Sequence, residues 1–436
     1  MKTLHRENLQ KICFFLNKYF LLKPRIEEVI DSQTGVFYLR LTILGIYLAL
    51  LNVLDLLYNL IGIKLFNFNY INLGLFNTLW TIVYVISIRF TNIFVDRGIF
   101  RKIVSVSILF NILMTISILQ SIYTGNVILY YLSYCIYAIV ISQTRLPIYT
   151  SILEYYDSDK WSIVNKTLLY KTIIFEGIFL VAYSHIDINR IIENLYMFLI
   201  LIISLGFITV YAIPQPIFPI ERIVYKIEKS ISKMLTPTRS SFIVSFQPMY
   251  LPDKFSIYSD LLSKSFINKK EVLTILFFLK ISNELLFTPL PLILLSKIGV
   301  SLTNILQVYG LAKLMSFTLM IALNPKPLNP ISITLAIFMR AFSAIILLTF
   351  VNNIYMITAL ITLIFYSNAV LDACLYNLYL ETSSGYRTGD YSIISELACL
   401  TGSISSGFII TYTGSLTILL PILISTITFT RILKKI

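Results

Sequence analysis

Charge is scarce in this chain: only 13% of its 436 residues are Asp, Glu, Lys or Arg, about half the share usual in soluble globular domains. Histidine (2), tryptophan (2) and cysteine (4) are scarcer still. Cys13, Cys135, Cys374 and Cys399 form no pair with metal-ligand or CxxC spacing, which excludes a zinc ribbon, a redox dithiol and a disulfide framework. They read as core thiols. No GxxxxGK[ST] loop occurs, so the chain has no recognisable cradle for nucleotide phosphates. Residues 1–34 are polar and basic without a short apolar core, and no cleavable signal is expected there. Neither enzyme chemistry, a metal nor a cofactor is expected.

What the chain does have is apolar length. Twelve apolar runs lie near 39–61, 72–95, 103–122, 126–145, 167–184, 193–213, 272–295, 301–323, 331–350, 354–380, 391–412 and 415–430. A helix of about 20 residues crosses a hydrocarbon core of about 30 Å, and in lipid the backbone has to bond to itself. The fold class is therefore an all-α polytopic membrane protein with twelve transmembrane helices. The gaps alternate in charge. Every second gap collects basic residues, 27 of the 35 in all, whereas the intervening gaps hold only Lys64, Arg190 and Lys297. Lys and Arg flanking membrane helices are retained inside, so both termini are expected in the cytoplasm and the protein in the plasma membrane. The net charge of +13 then faces anionic lipid headgroups, and nucleic acid is not an expected partner.

The longest gap, 214–271, divides the chain six runs from six. It carries Ile220, Ile223, Val224, Ile227, Ile231, Met234 and Leu235 at helical spacing, with Arg222, Lys226, Lys229 and Lys233 opposite. That pattern predicts an amphipathic helix lying on the inner leaflet. The expected organisation is a cytoplasmic segment 1–34, a six-helix half 35–213, a linker 214–271 and a second half 272–436. The halves echo each other: Glu154 is followed six residues on by Lys160, and Glu381, at the same point of the second half, by Arg387. Internal repeats of this kind are the usual build of secondary transporters.

The loop Asp96-Arg97-Gly98-Ile99-Phe100-Arg101-Lys102 resembles motif A of the major facilitator superfamily: an Asp-Arg, a Gly and a basic cluster. The Glu154–Lys160 and Glu381–Arg387 stretches resemble the acidic-then-basic loops after that family's helices four and ten. The chain departs from the pattern in several places: the leading motif Gly is Asn92, the loop Gly is displaced by one, the second-half equivalent 324–330 keeps only Lys326 of its charges, run five lacks the Gly-Pro of many drug exporters, and run four has no Arg near its start. The resemblance implies two six-helix halves around a central cavity lined by helices one, four, seven and ten. It also implies a cytoplasmic gate at Asp96, Arg97, Arg101 and Lys102, assisted by the two loops.

Ten ionisable residues fall inside runs: Asp55, Arg89, Lys171, Glu176, Lys280, Glu284, Lys313, Arg340, Asp372 and Glu396. Such residues are costly in hydrocarbon and are candidates for function. Several share stripes at helical spacing: Asn52, Asp55 and Asn59 on run one; Lys280, Glu284 and Thr288 on run seven; Asn368, Asp372, Tyr376 and Tyr379 on run ten. Run four carries Tyr130, Tyr134 and Tyr137, readable as cavity or as packing. Arg89 and Glu396 are expected to pair as a gate between helices two and eleven, and Lys280 with Glu284 one turn away. Pro289 and Pro291 are expected to break run seven, and the small residues Ala398, Gly402 and Ser406 to admit a neighbouring helix. The expected function is secondary transport of a small solute by a monomer, coupled to protons through Glu284, Asp372 or Asp55. Export of organic cations, or a non-transporting receptor or scaffold of the same fold, stay open.

Overall fold

The computed structural model describes residues 23–95, 97–155, 158–213, 269–323, 329–349, 353–383, 388–414, 417 and 419–433. The amphipathic helix expected in the linker lies outside them. The first half contains α1 (Lys23–Leu65), α2 (Tyr70–Val95), α3 (Phe100–Thr124), α4 (Val127–Tyr155), α5 (Ser158–Ser184), the short α6 (Ile188–Glu193) and α7 (Leu195–Ala212). The second contains α8 (Lys269–Phe287), α9 (Leu290–Ile298), α10 (Leu302–Leu323), α11 (Pro330–Thr349), α12 (Ile354–Ser383), α13 (Thr388–Thr413) and α14 (Leu419–Leu433). Eleven spans are long and apolar enough to cross a membrane, and the twelfth run is a shorter apolar helix over Leu419–Thr430. The chain is a multi-pass integral membrane protein.

Run seven divides into α8 and α9 at Thr288–Pro289, with Pro at the start of α9. Proline has no N–H and its ring crowds the preceding turn, so the helix restarts there. Two other breaks use glycine. Gly125 (φ +66°) closes α3 and Gly98 (φ +76°) closes α2 within the motif-like loop; a side chain there would meet the left-handed penalty.

The packing is duplicated. In the first half α1 packs on α5 and α7, α2 on α4, and α3 on α4 and α7. In the second, α8 packs on α13 and α14, α10 on α12, and α11 on α12 and α14. Each first-half pair maps onto a second-half pair six runs later. The halves meet through α2·α13 and α5·α10, two contacts that the same six-run shift exchanges. Small residues make both close: a Cβ on Gly407 would stand 2.5 Å from the Tyr70 carbonyl, and one on Gly310 would stand 2.8 Å from the Val181 nitrogen.

The apolar core is not uniform along the membrane normal. Toward the α3–α4 turn at Asn126, one continuous cluster runs through both halves, from Leu57, Phe76 and Leu180 to Leu286, Leu306 and Ile361. Toward Arg101 each half has its own. Leu44, Val104, Ile148 and Leu168 form the first; Leu276, Ile337, Leu371 and Phe429 form the second, joined from across the divide, among the described residues, only by Tyr170 and Ile173.

Candidate functional site

Helical spacing puts Asn52, Asp55 and Asn59 on one face of α1, turned toward α4 and α5. Tyr134 of α4 brings its hydroxyl to 2.8 Å from Asp55 Oδ1 and 2.9 Å from Asn77 Oδ1. Asn77 in turn donates its amide to Asn59 Oδ1 (3.0 Å) and to the Leu73 carbonyl (3.0 Å). One turn along α1, Asn52 accepts from the Arg145 guanidinium and donates to Glu176 Oε2 at 2.9 Å. The other oxygen of Glu176 lies 3.2 Å from Lys313 Nζ on α10, and that ammonium sits 4.7 Å above the Phe365 ring. A polar chain therefore runs from α4 through α1 and α5 into the second half.

The second half has its own charges. Lys280 of α8 meets Asp372 of α12 at 2.7 Å. Glu284, one turn further, accepts from Thr288 (3.1 Å) and Ser403 (3.4 Å). Gly402 permits this approach, because a Cβ there would stand 2.6 Å from that of Glu284. The small-residue stripe of α13 thus seats the carboxylate. Arg340, 3% exposed, is held among the described residues by neutral oxygens: Ser425 (2.7 Å), Asn283 (2.9 Å) and Ser282. The two halves lie within electrostatic reach of each other: Asp55 of Glu284, and Arg145 of Glu396.

Several expectations change. Lys280 pairs with Asp372 and not with Glu284, since α12 brings a carboxylate to its tip while Glu284 turns to α13. Of the tyrosine stripe only Tyr134 reaches polar side chains. Tyr130 and Tyr137 are buried and donate to the carbonyls of Tyr58 and Leu51 at 2.5 Å, which makes them packing residues between α1 and α4. Tyr376 is 40% exposed and stands edge-on to Tyr391; Asn368 leaves its buried Oδ1 without a partner. Arg89 is exposed and makes no ion pair with Glu396; both lie toward the Arg101 end, where the cores are separate. Arg101 donates to the Ile213 carbonyl at 3.2 Å, tying α3 to the end of α7 within one half instead of bridging the halves. Arg97 and Lys102 are exposed. Asp96 and Arg387, and the side chains of Glu154, Lys160 and Glu381, lie outside what is described.

The polar chain also contains residues absent from the expected site: Arg145, Glu176, Lys313 and Asn77. Glu176 and Lys313 were legible as intramembrane charges. Arg145 was not, because α4 continues past the apolar run to Tyr155, which leaves Arg145 half-buried.

No family model and no curated protein sequence matches the chain. Solved structures do. Peptide transporter POT in complex with alafosfalin superposes with a TM-score of 0.60 at 12% identity, over 92% of this chain and 95% of that one. The human organic anion transporter MFSD10 (TETRAN) gives 0.60 at 13%, over 90% and 98%. The nucleoside transporter NupG gives 0.58 at 13%, over 91% and 99%. With twelve apolar helices in two matching halves that meet through α2·α13 and α5·α10, the chain has the fold of the major facilitator superfamily of transporters.

Proposed function

We propose that this protein is a secondary transporter that moves a small solute across the plasma membrane by alternating access, coupled to protons. The observation that carries the reading is the asymmetry of the core. Two pseudo-equivalent halves share one apolar core at the Asn126 end and keep separate cores at the Arg101 end, with a charge network between. Bundles related this way can rock about their contact and expose a central site to one side at a time. The unpaired Arg89 and Glu396 fit a gate whose end is parted in this state. The structural neighbours carry peptides, organic anions and nucleosides, which supports a small solute without choosing one.

The charge bias of the gaps supports placing the Arg101 end and both termini in the cytoplasm. A cysteine introduced at Asn126 should react with an impermeant maleimide added to intact cells, and one at Ser232 only after permeabilisation. Reaction of both from outside would overturn the orientation.

Proton coupling is supported by the hydrogens around Tyr134. A phenol donates once, yet its oxygen stands between Asp55 Oδ1 and Asn77 Oδ1. The Asn77 amide is committed to Asn59 and Leu73, which leaves Asn77 Oδ1 as an acceptor for the phenol. The contact to Asp55 is then a hydrogen bond when the carboxyl supplies the proton. Asp372 is neutralised by Lys280, so Asp55 and Glu284 remain as carriers. In proteoliposomes with an imposed pH gradient, Asp55→Asn or Glu284→Gln should abolish accumulation while preserving exchange of solute down its own gradient. Undiminished accumulation in both variants would place coupling elsewhere.

A further inference from the structure

The central charges do not balance. Asp55, Glu176, Glu284, Asp372 and Glu396 are five acids; Arg145, Lys280, Lys313 and Arg340 are four bases. Two direct ion pairs, Lys280–Asp372 and Lys313–Glu176, cancel. Arg145 lies within electrostatic reach of Asp55 and Glu396, and Arg340 within reach of Asp372. Among the described residues no cation forms an ion pair with Asp55, Glu284 or Glu396. With all nine ionised the network carries one negative charge too many, which is costly in a membrane interior. Arg89 is exposed on α2, and the Lys171 ammonium reaches the Tyr38 carbonyl and Thr42 at the very start of the first span; both lie outside the central network and neither forms an ion pair with these three acids.

An independent feature faces one of these acids. Trp80 and Tyr84 stack on one face of α2, centroids 5.1 Å apart and 8° from parallel. Tyr84 is 8% exposed, and its hydroxyl has no hydrogen-bond partner among the described residues. The α2·α13 contact sets Tyr70 against Gly407 and Gly74 against Ser403, a register that brings Tyr84 toward Glu396; Glu396, Cys399, Arg145 and Tyr149 lie within electrostatic reach of its hydroxyl. The Trp80 indole N–H is also unpartnered. Aromatic faces beside unpaired carboxylates are the chemistry that holds an organic cation.

Resting on the transporter reading above, we infer that the substrate is a monovalent organic cation with an apolar or aromatic body, bound between Trp80–Tyr84 and Glu396. It and the proton on Asp55 fill the same single charge deficit in turn. When the cation enters, the Asp55 O–H bond breaks and its proton leaves to water; when the cation leaves, a proton returns. The exchange is one for one and moves no net charge.

The probe is 1-methyl-4-phenylpyridinium, charged at every pH, presented to the full chain in proteoliposomes with an acidic lumen. Cation influx should be matched by about one proton released, and clamping the membrane potential should leave the rate unchanged. Glu396→Gln should weaken the probe roughly tenfold or more, the loss of one close charge in a low-dielectric site. Tyr84→Phe, which keeps the ring, should weaken it less, and gel-filtration profiles report whether either variant is folded. Counterflow of phenylalanine or benzoate with no uptake of the pyridinium would overturn the cation assignment and leave the transporter standing. No flux of any of the three would overturn both. Pyridinium uptake that tracks the membrane potential without proton release would overturn the exchange.

Discussion

Glu176→Gln is expected to destabilise the protein by about 3 kcal/mol, the usual cost of leaving one partner of a buried ion pair alone. Glu176 is 7% exposed; its two oxygens serve Lys313 on one side and Asn52 on the other. Glutamine keeps the shape and one oxygen. It loses the charge that faces the ammonium, whose remaining contact is the face of Phe365. Thermal melting in detergent should show the loss. The double variant Glu176→Gln/Lys313→Met should recover most of it, because no orphan charge remains in the interior. Transport should not recover with it. The pair ties α5 to α10, and through Asn52 and Arg145 it reaches α1 and α4, so both halves lose a shared reference. Equal melting points for the single variant and the parent would show that water already screens the pair.

Much of this architecture was legible in the sequence because helical period and hydrocarbon thickness leave few alternatives. The runs, the proline break at Thr288–Pro289 and the close approach at Gly402 follow from residue type alone. Positions within one helix were also readable: Asn52, Asp55 and Asn59 share one face of α1 and meet partners on α2, α4 and α5. Partners were not. Lys280 has a carboxylate four residues along its own helix and another on α12. The choice between them depends on how α8 is rotated against α12 and α13, which local spacing does not encode. Tyr130, Tyr134 and Tyr137 look equivalent in the chain, yet only one meets a carboxylate; the other two reach α1 carbonyls. Arg145 was hidden by an edge effect. Hydropathy ended the run near it, whereas the helix runs on to Tyr155 and carries the guanidinium beside Asn52. Arg101 shows the reverse case, a motif-like residue whose expected bridging role is replaced by a bond to the Ile213 carbonyl in its own half.

A disulfide between cysteines at Leu180 and Gly310 is expected to stop transport completely and reversibly. A Cβ at Gly310 would stand 2.9 Å from that of Leu180, and a disulfide needs about 3.5–4.5 Å between these atoms. The α5·α10 contact therefore has to part by only about 1 Å or less. Both positions lie on the side of the shared core, where α5 and α10 join the halves. If the solute is released by opening the Asn126 end, this contact has to separate, and a covalent bond across it holds the protein in the state described here. The background chain should carry Ser in place of Cys13, Cys135, Cys374 and Cys399. Cysteines at Gly45 and Lys171 supply the control, because their Cβ atoms would be equally close (2.9 Å) but both belong to the first half. Oxidation should block flux only in the Leu180–Gly310 pair, and dithiothreitol should restore it. Full transport in the oxidised Leu180–Gly310 protein, with the cross-link verified by mass spectrometry, would mean that these helices stay together throughout the cycle. Rocking about the shared core would then be the wrong motion.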